Sequence, residues 1–273
     1  MPKVQANGIG IAYDEQGAGE PLVLIAGLGY DRWQWHRMAP ELARWFRVIT
    51  PDNRGVGDSD SPPGPYSAEQ MAADLVGLLD ALGIERAQVL GHSMGGFVAQ
   101  ALALDYPQRV SRLILASTHF GGPNAIPITS DALAVLVDTQ MDAATRLMQG
   151  LAVSCFPGFA VSHPELINLW TDRRLRFPVD PVGYMAQLGV GTALGGAGPG
   201  FEARLAALDI PTLVLFGAQD LVVPTGNAEL LGRAIPNSQV VILPQSGHFF
   251  PLEVPEAANR AILDFLQGTP TAA

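Results

Sequence analysis

The stretch VLGHSMGGFVAQ, residues 89–100, carries an apolar strand pattern directly into an apolar helical one through Gly91-His92-Ser93-Met94-Gly95. A chain that passes from strand to helix with so little between them must turn sharply, and the apex residue is held in strained backbone. Gly91 and Gly95 remove the side chains that would collide on either side of Ser93. The segment therefore predicts a strand, a tight turn presenting a serine hydroxyl, and a helix packed back on the sheet. Such a hydroxyl is a weak nucleophile near neutral pH. It needs a base to take its proton, an acid to orient that base, and donors for an oxyanion.

The rest of the chain repeats the strand–helix alternation. Residues 9–13, 22–25, 48–50, 87–90, 113–115, 212–216 and 239–243 read as strands, the later ones solidly apolar. Continuous apolar runs of that length suit parallel strands covered on both faces. Ser67 and Gln70 form a capping-box pattern, and Met71, Leu75, Leu78, Leu79 and Leu82 follow as one helical stripe that Gly83 ends. Residues 94–106 are apolar almost all round and are expected against the sheet. The fold class is α/β with a largely parallel sheet.

Between residues 119 and 200 the alternation stops, and helical stripes appear without strands. The pattern Ser162-His163-Pro164-Glu165 reads as a capping box leading into Leu166, Leu169 and Trp170. Asp180 and Pro181 open a further helix bearing Tyr184, Met185 and Leu188. The turn-forming stretches GGPNAIP and GGAGPG, residues 121–127 and 195–200, bracket the region. The expected organisation is a core of residues 1–118 and 201–273 with a helical cap, or lid, of residues 119–200 inserted into it.

A net charge of −10 argues against nucleic acid or an anionic membrane as a partner. No stretch approaches the roughly 20 apolar residues of a membrane span. The N-terminal MPKVQANGIG lacks the apolar centre of a signal peptide, so a cytoplasmic location is expected. Cys155 is the single cysteine, which excludes an internal disulfide and a cysteine metal cluster. No metal-ligand spacing and no nucleotide-binding loop is found, and no cofactor is expected. The sequence leaves the oligomeric state open.

Of the five histidines, His248 is placed best to serve Ser93. It lies beyond the last strand on a loop bounded by Gly247 and Pro251, and loops at strand C-termini of a parallel sheet converge on one edge. His92 is next to Ser93, and adjacent side chains at such a turn point apart. His36 follows two tryptophans at a helix start, His163 sits in the first turn of a cap helix, and His119 lies just past a strand end where it could line a pocket. Asp220 ends FGAQD, again just after a strand. The competing position for an orienting acid, the segment LILASTHF at residues 113–120, carries no carboxylate.

With Ser93, Asp220 and His248 in this order, the chain resembles the α/β-hydrolase superfamily, whose nucleophile elbow reads G-x-S-x-G. PLVLIAGLGYDRWQW at residues 21–35 resembles that family's oxyanion loop, and DNRGVGDSD at residues 52–60 its D-x-R-G-x-G-x-S loop. The resemblance implies backbone N–H donors from Leu28 and Met94 for an oxyanion. Where the family usually has His-Gly, this chain has Ala26-Gly27, so the loop is expected to pack differently while the backbone donors survive. Asp52, Arg54 and Asp58 are assigned a structural role, with Arg54 tying its loop together. Trp33 and Trp35 are expected to cover the base of the pocket or the core.

A serine at the elbow excludes the aspartate-dependent dehalogenase and epoxide hydrolase branches. The expected reaction is acyl transfer from a small or medium, largely apolar ester to water. The alternatives are an enol-lactonase-like or carbon–carbon bond hydrolase, for which Arg173, Arg174 and Arg176 are candidate carboxylate anchors, and a non-catalytic small-molecule receptor. Expected pocket residues are Trp33, His119, Leu147, Met148, Phe156, Trp170, Tyr184 and Phe249.

Overall fold

A computed structural model describes residues 2–138, 140–195 and 198–268. Eight strands form one sheet: β1 (Lys3–Ala6), β2 (Ile9–Gln16), β3 (Pro21–Ile25), β4 (Arg47–Pro51), β5 (Ala87–His92), β6 (Val110–Ala116), β7 (Thr212–Gly217) and β8 (Ser238–Leu243). Their order is β1-β2-β4-β3-β5-β6-β7-β8, antiparallel for β1–β2 and β2–β4 and parallel from β4 onward. β1 has no counterpart among the strands expected above. It is joined to β2 by Asn7 and Gly8 at φ 49° and 81°, the left-handed pair of a two-residue hairpin turn.

The central strands are apolar because both faces are covered. On one side pack Phe97, Val98 and Leu102 with Met71, Leu75 and Leu78. On the other lie Trp35, Met38, Leu42, Phe250, Ile262 and Phe265. Burying each such side chain contributes about 1.5–3 kcal/mol, so these two layers fix the sheet's register and its strand order. β8 departs from the expectation of full coverage: Val240 and Ile242 are 44% and 41% exposed, because β8 is the sheet's edge.

The helix Ala68–Ala81 starts as expected, with the Ser67 hydroxyl accepting the Gln70 N–H, and closes at Gly83, φ 66°. Residues Met94–Asp105 form the helix behind Ser93, with ten of its twelve residues buried.

Between β6 and β7 the described residues form six helices and no strand: Ser130–Val137, Ala143–Ser154, Phe159–Ser162, Pro164–Arg176, Pro181–Gly195 and the short Glu202–Leu205. Three of them, Ser130–Val137, Ala143–Ser154 and Pro181–Gly195, reach the sheet edge at which Ser93 emerges, since Leu136, Ser154 and Leu188 share one chamber with it. Thr129, Asp142 and Asp180 cap three of them by accepting backbone N–H groups. The Ser162–Glu165 capping box does not form. The Ser162 hydroxyl turns back onto the carbonyls of Gly158 and Phe159, and His163 holds the cap position instead. Pro164 follows as the first helical residue, where a missing N–H costs nothing. Of GGAGPG, residues 196 and 197 lie outside the described residues, as do residues 269–273 of the C-terminal core segment. Among the described residues no helix is long and apolar enough to cross a membrane.

Candidate active site

Ser93 sits at φ 55°, ψ −120°, a conformation that β-carbons rarely tolerate. The turn is this tight because the strand and helix touch. A β-carbon at Gly91 would lie 2.2 Å from the Gly95 carbonyl oxygen, and one at Gly95 would lie 2.4 Å from that of Ile25. The pattern of two glycines around Ser93 is thus a steric requirement of the elbow.

The hydroxyl meets His248. Ser93 Oγ is 3.0 Å from His248 Nε2, and His248 Nδ1 is 2.9 Å and 3.1 Å from the two carboxylate oxygens of Asp220. An ionised Asp220 only accepts, so Nδ1 carries the proton and Nε2 presents its lone pair to the serine. Asp220 is fixed in turn by the N–H groups of Val222 and Val223, both donating to Oδ1 at 2.9 Å and 2.8 Å. All three groups stand beyond the C-terminal ends of parallel strands: β5 for Ser93, β7 for Asp220, β8 for His248.

His92, beside Ser93, is buried and turns its ring toward the histidine loop. Its Nε2–H donates to the His248 carbonyl at 2.9 Å, and burial with the nearby His248 pushes its pKa down to about 3. It is a neutral strut for the histidine loop. A second strut is Glu253, which accepts the N–H groups of Gly247 at 2.9 Å and of Phe156 at 2.6 Å. Burial raises its pKa to about 7, against the pull of those two donors.

Leu28 lies between two occupied donors. The Gly27 N–H goes to Gln34 Oε1 at 3.0 Å and the Gly29 N–H to Gln187 Oε1 at 2.9 Å. The Leu28 N–H between them has no acceptor among the described residues. Met94 opens its helix, where first-turn N–H groups find no intrahelical partner. Both residues line the chamber beside Ser93. Ala26, the departure from His-Gly, is fully buried, and its carbonyl accepts from Asn53 Nδ2 at 3.0 Å.

The chamber has a volume of about 180 Å³ and apolar walls from Phe97, Ile128, Leu133, Leu136, Leu188, Val222 and Val223. His119 and Phe249 line it. His119 accepts the Gly121 N–H at Nδ1, and burial lowers its pKa to about 4, so it is neutral and carries its proton on Nε2. No lysine or arginine of the described residues lines this chamber.

Six expected pocket residues lie elsewhere. Leu147 and Trp170 are buried in a small core between the inserted helices and Phe249 and Leu252, and Phe156 packs against it. Met148 faces outward, 45% exposed. Tyr184 lies against Gly29 and donates its hydroxyl to the Leu136 carbonyl at 2.9 Å. Trp33 stacks on His36 with centroids 3.8 Å apart, in a separate cleft that also holds Arg173 and Arg174. The inserted segment packs Leu147, Phe156 and Trp170 together and against Phe249, and it is Leu133, Leu136 and Leu188 that reach the chamber. Trp35 is core.

Arg54 ties its loop to the neighbouring helix through Asp74, with two contacts of 2.5 Å. Asp52 accepts the N–H groups of Arg32 and Asp58 at 2.7 Å and 2.8 Å and pairs with the Arg32 guanidinium. Sequence reasoning passed over Gln187. It is fully buried and bridges the Gly29 N–H to the Arg54 carbonyl, at 2.9 Å and 2.7 Å. A glutamine in an otherwise apolar helix face, MAQLGV, was its signal.

The chain belongs to the alpha/beta hydrolase fold family, whose model matches residues 20–255. A 2-hydroxy-6-oxononadienedioate/2-hydroxy-6-oxononatrienedioate hydrolase of Paraburkholderia phymatum is 33% identical over 94% of this chain and 90% of its own. Among solved structures, a thermophilic esterase from Thermogutta terrifontis, with malate bound, is 34% identical at a TM-score of 0.83, covering 99% of this chain and 100% of its own. The enol-lactonase from Burkholderia xenovorans LB400 is 27% identical at a TM-score of 0.83, covering 97% and 100%. These three relatives act on different substrates by their names, so the likeness identifies a hydrolase family and no substrate.

Proposed function

We propose that this protein is a serine hydrolase that cleaves carboxylic esters with small to medium, uncharged acyl groups through an acyl-enzyme. Ser93 Oγ attacks the ester carbonyl while His248 Nε2 takes its proton. The carbonyl electrons move onto oxygen, and the N–H groups of Leu28 and Met94 hold that oxyanion. Asp220 accepts from the Nδ1–H and stabilises the imidazolium. Collapse expels the alkoxide, which leaves as the alcohol with the proton from Nε2. Water then attacks the acyl-enzyme by the same steps, with His248 again as base, and releases the acid.

The observation that carries the substrate class is the chamber wall. Its aliphatic residues, with no lysine or arginine among the described residues that line it, favour a neutral acyl chain. Burying an ionised carboxylate there would need a partner, and His119 is neutral. Its volume of about 180 Å³ is below the ~300 Å³ lower bound of pockets for drug-sized ligands. The lactonase alternative lacks its expected anchors in the chamber, since Arg173, Arg174 and Arg176 line the other cleft. The test compares kcat/KM for p-nitrophenyl esters of increasing acyl length with that for carboxylate-bearing lactones. The proposal expects the esters to win, with a rise of up to about 0.8 kcal/mol in transition-state binding per methylene until the chamber is full. Preference for the carboxylate-bearing lactones overturns it.

A further inference from the structure

A second cleft, of about 330 Å³, shares Tyr30 with the Ser93 chamber and contains none of Ser93, Asp220 or His248. Four arginines, Arg32, Arg173, Arg174 and Arg176, line it together with Asp31 and Asp58. Two of the arginines are committed to carboxylates. Arg32 pairs with Asp14, Asp52 and Asp58, and Arg173 with Asp31 at 2.7 Å.

The other two are not. Arg174 donates to the Gly29 carbonyl at 2.9 Å and lies 4.9 Å from the centre of the Tyr30 ring. Arg176 is exposed, and neither it nor Arg174 has a carboxylate partner among the described residues. Arg173 adds a buried Nη1 with no acceptor. Arg174 and Arg176 thus bring charge to the cleft that no carboxylate of the described residues matches, and an anion bound beside them would match it.

The same cleft is aromatic. Trp33 and Phe177 line it, Phe177 is 54% exposed, and the Arg173 guanidinium lies 3.7 Å from the Phe177 ring centre. An exposed ring at the mouth of a cationic cleft leaves apolar area that a flat ligand can cover. The guanidinium fork matches the two oxygens of a carboxylate.

We infer that the arginine cleft is a binding site for a small aromatic carboxylate, distinct from the ester chamber, its carboxylate on Arg174 and Arg176 and its ring against Trp33 and Phe177. Because Arg174 also holds the Gly29 carbonyl, the bound anion stands one residue from the Leu28 N–H. The binding itself does not depend on the acyl-transfer reading.

The probe is benzoate, with benzamide as its uncharged counterpart, titrated against the full chain and read by tryptophan fluorescence and calorimetry. Trp33 and Trp170 line the cleft and serve as reporters. Benzoate should bind saturably and benzamide should not. Ser93→Ala should bind benzoate as tightly as wild type. Arg176→Gln and Arg174→Gln should each weaken it about tenfold, the loss of one charged hydrogen-bonding partner. Arg174→Gln also releases Gly29, so Arg176→Gln keeps the test decisive if the first variant is unstable. No saturable benzoate binding, equal binding of benzamide, or an affinity that the Arg176 change leaves untouched would each overturn the site.

Discussion

Ser93, His248 and Asp220 come from loops 127 and 28 residues apart in the chain (220 − 93 and 248 − 220), yet they meet within 3.1 Å. Their roles make separate predictions. Ser93→Ala should lower kcat for ester hydrolysis by about 10⁴-fold or more while the thermal melt stays intact, since the residual rate rests on oxyanion donors and binding alone. Asp220→Asn should cost about 10³- to 10⁴-fold, because an amide can donate to Nδ1 and so favours the wrong imidazole tautomer. Stopped-flow and steady-state assays read both, and a wild-type rate in either variant removes that residue from its role. These three residues were legible in the sequence because each follows a recognisable strand and each carries a side chain with few structural rivals. Glu253 was not. Its work is to accept two backbone N–H groups from segments 97 and 6 residues away, a pairing that only the folded chain creates.

The segment 27–30 is held by neighbours on several sides, and the inserted helices supply Gln187, Tyr184 and Arg174, whose guanidinium donates to the Gly29 carbonyl at 2.9 Å. Gln187 takes the Gly29 N–H, and the Tyr184 ring stands where a Gly29 β-carbon would lie, 2.8 Å away. Gln187→Leu strands the Gly29 N–H and the Arg54 carbonyl, so it should destabilise the fold by about 1–3 kcal/mol per unpaired group. It should also lower kcat more than it raises KM, because a looser Leu28 N–H weakens transition-state binding. Urea titration and ester kinetics measure the two effects, and an unchanged kcat would detach Gln187 from the oxyanion loop. The helix Ser130–Val137 makes a prediction of its own. Leu136→Phe should shorten the preferred acyl chain in a p-nitrophenyl ester series by filling the chamber, and an unmoved optimum would place the acyl chain elsewhere. The sequence overstated the aromatic share of this pocket. Size and hydrophobicity show that a residue is buried, but the same signal marks Trp170 in a helix-packing core and Leu136 in a chamber wall. Helical periodicity does not say which of two apolar environments a stripe faces.

The α/β architecture was legible because strands covered on both faces must be apolar throughout. β1 was missed although Asn7-Gly8 is a hairpin signal, since KVQA before it is short and half polar. The insertion and the core are joined at the histidine loop, where Glu253 holds Phe156 and Gly247, and the Phe249 N–H reaches the Ser154 carbonyl at 2.9 Å. That joint should make stability pH-dependent. With its pKa raised from 4.5 to about 7, folded Glu253 holds its proton where the unfolded chain has lost it. The folded state then binds more protons in that window, so its contribution to stability is present below pH 4.5 and is lost as pH rises through about 7. Urea midpoints for wild type should carry this fall, and Glu253→Gln should lack that part of it; parallel profiles would show that Glu253 is not the group responsible. Hydrolysis through Ser93 requires a covalent acyl-Ser93, and mass spectrometry of the enzyme quenched during turnover of p-nitrophenyl butyrate tests for it most directly. A butyryl adduct on the peptide containing Ser93, absent from Ser93→Ala, is the predicted result. Turnover with no adduct under burst conditions, or an adduct on another residue that supports the full rate, would contradict it.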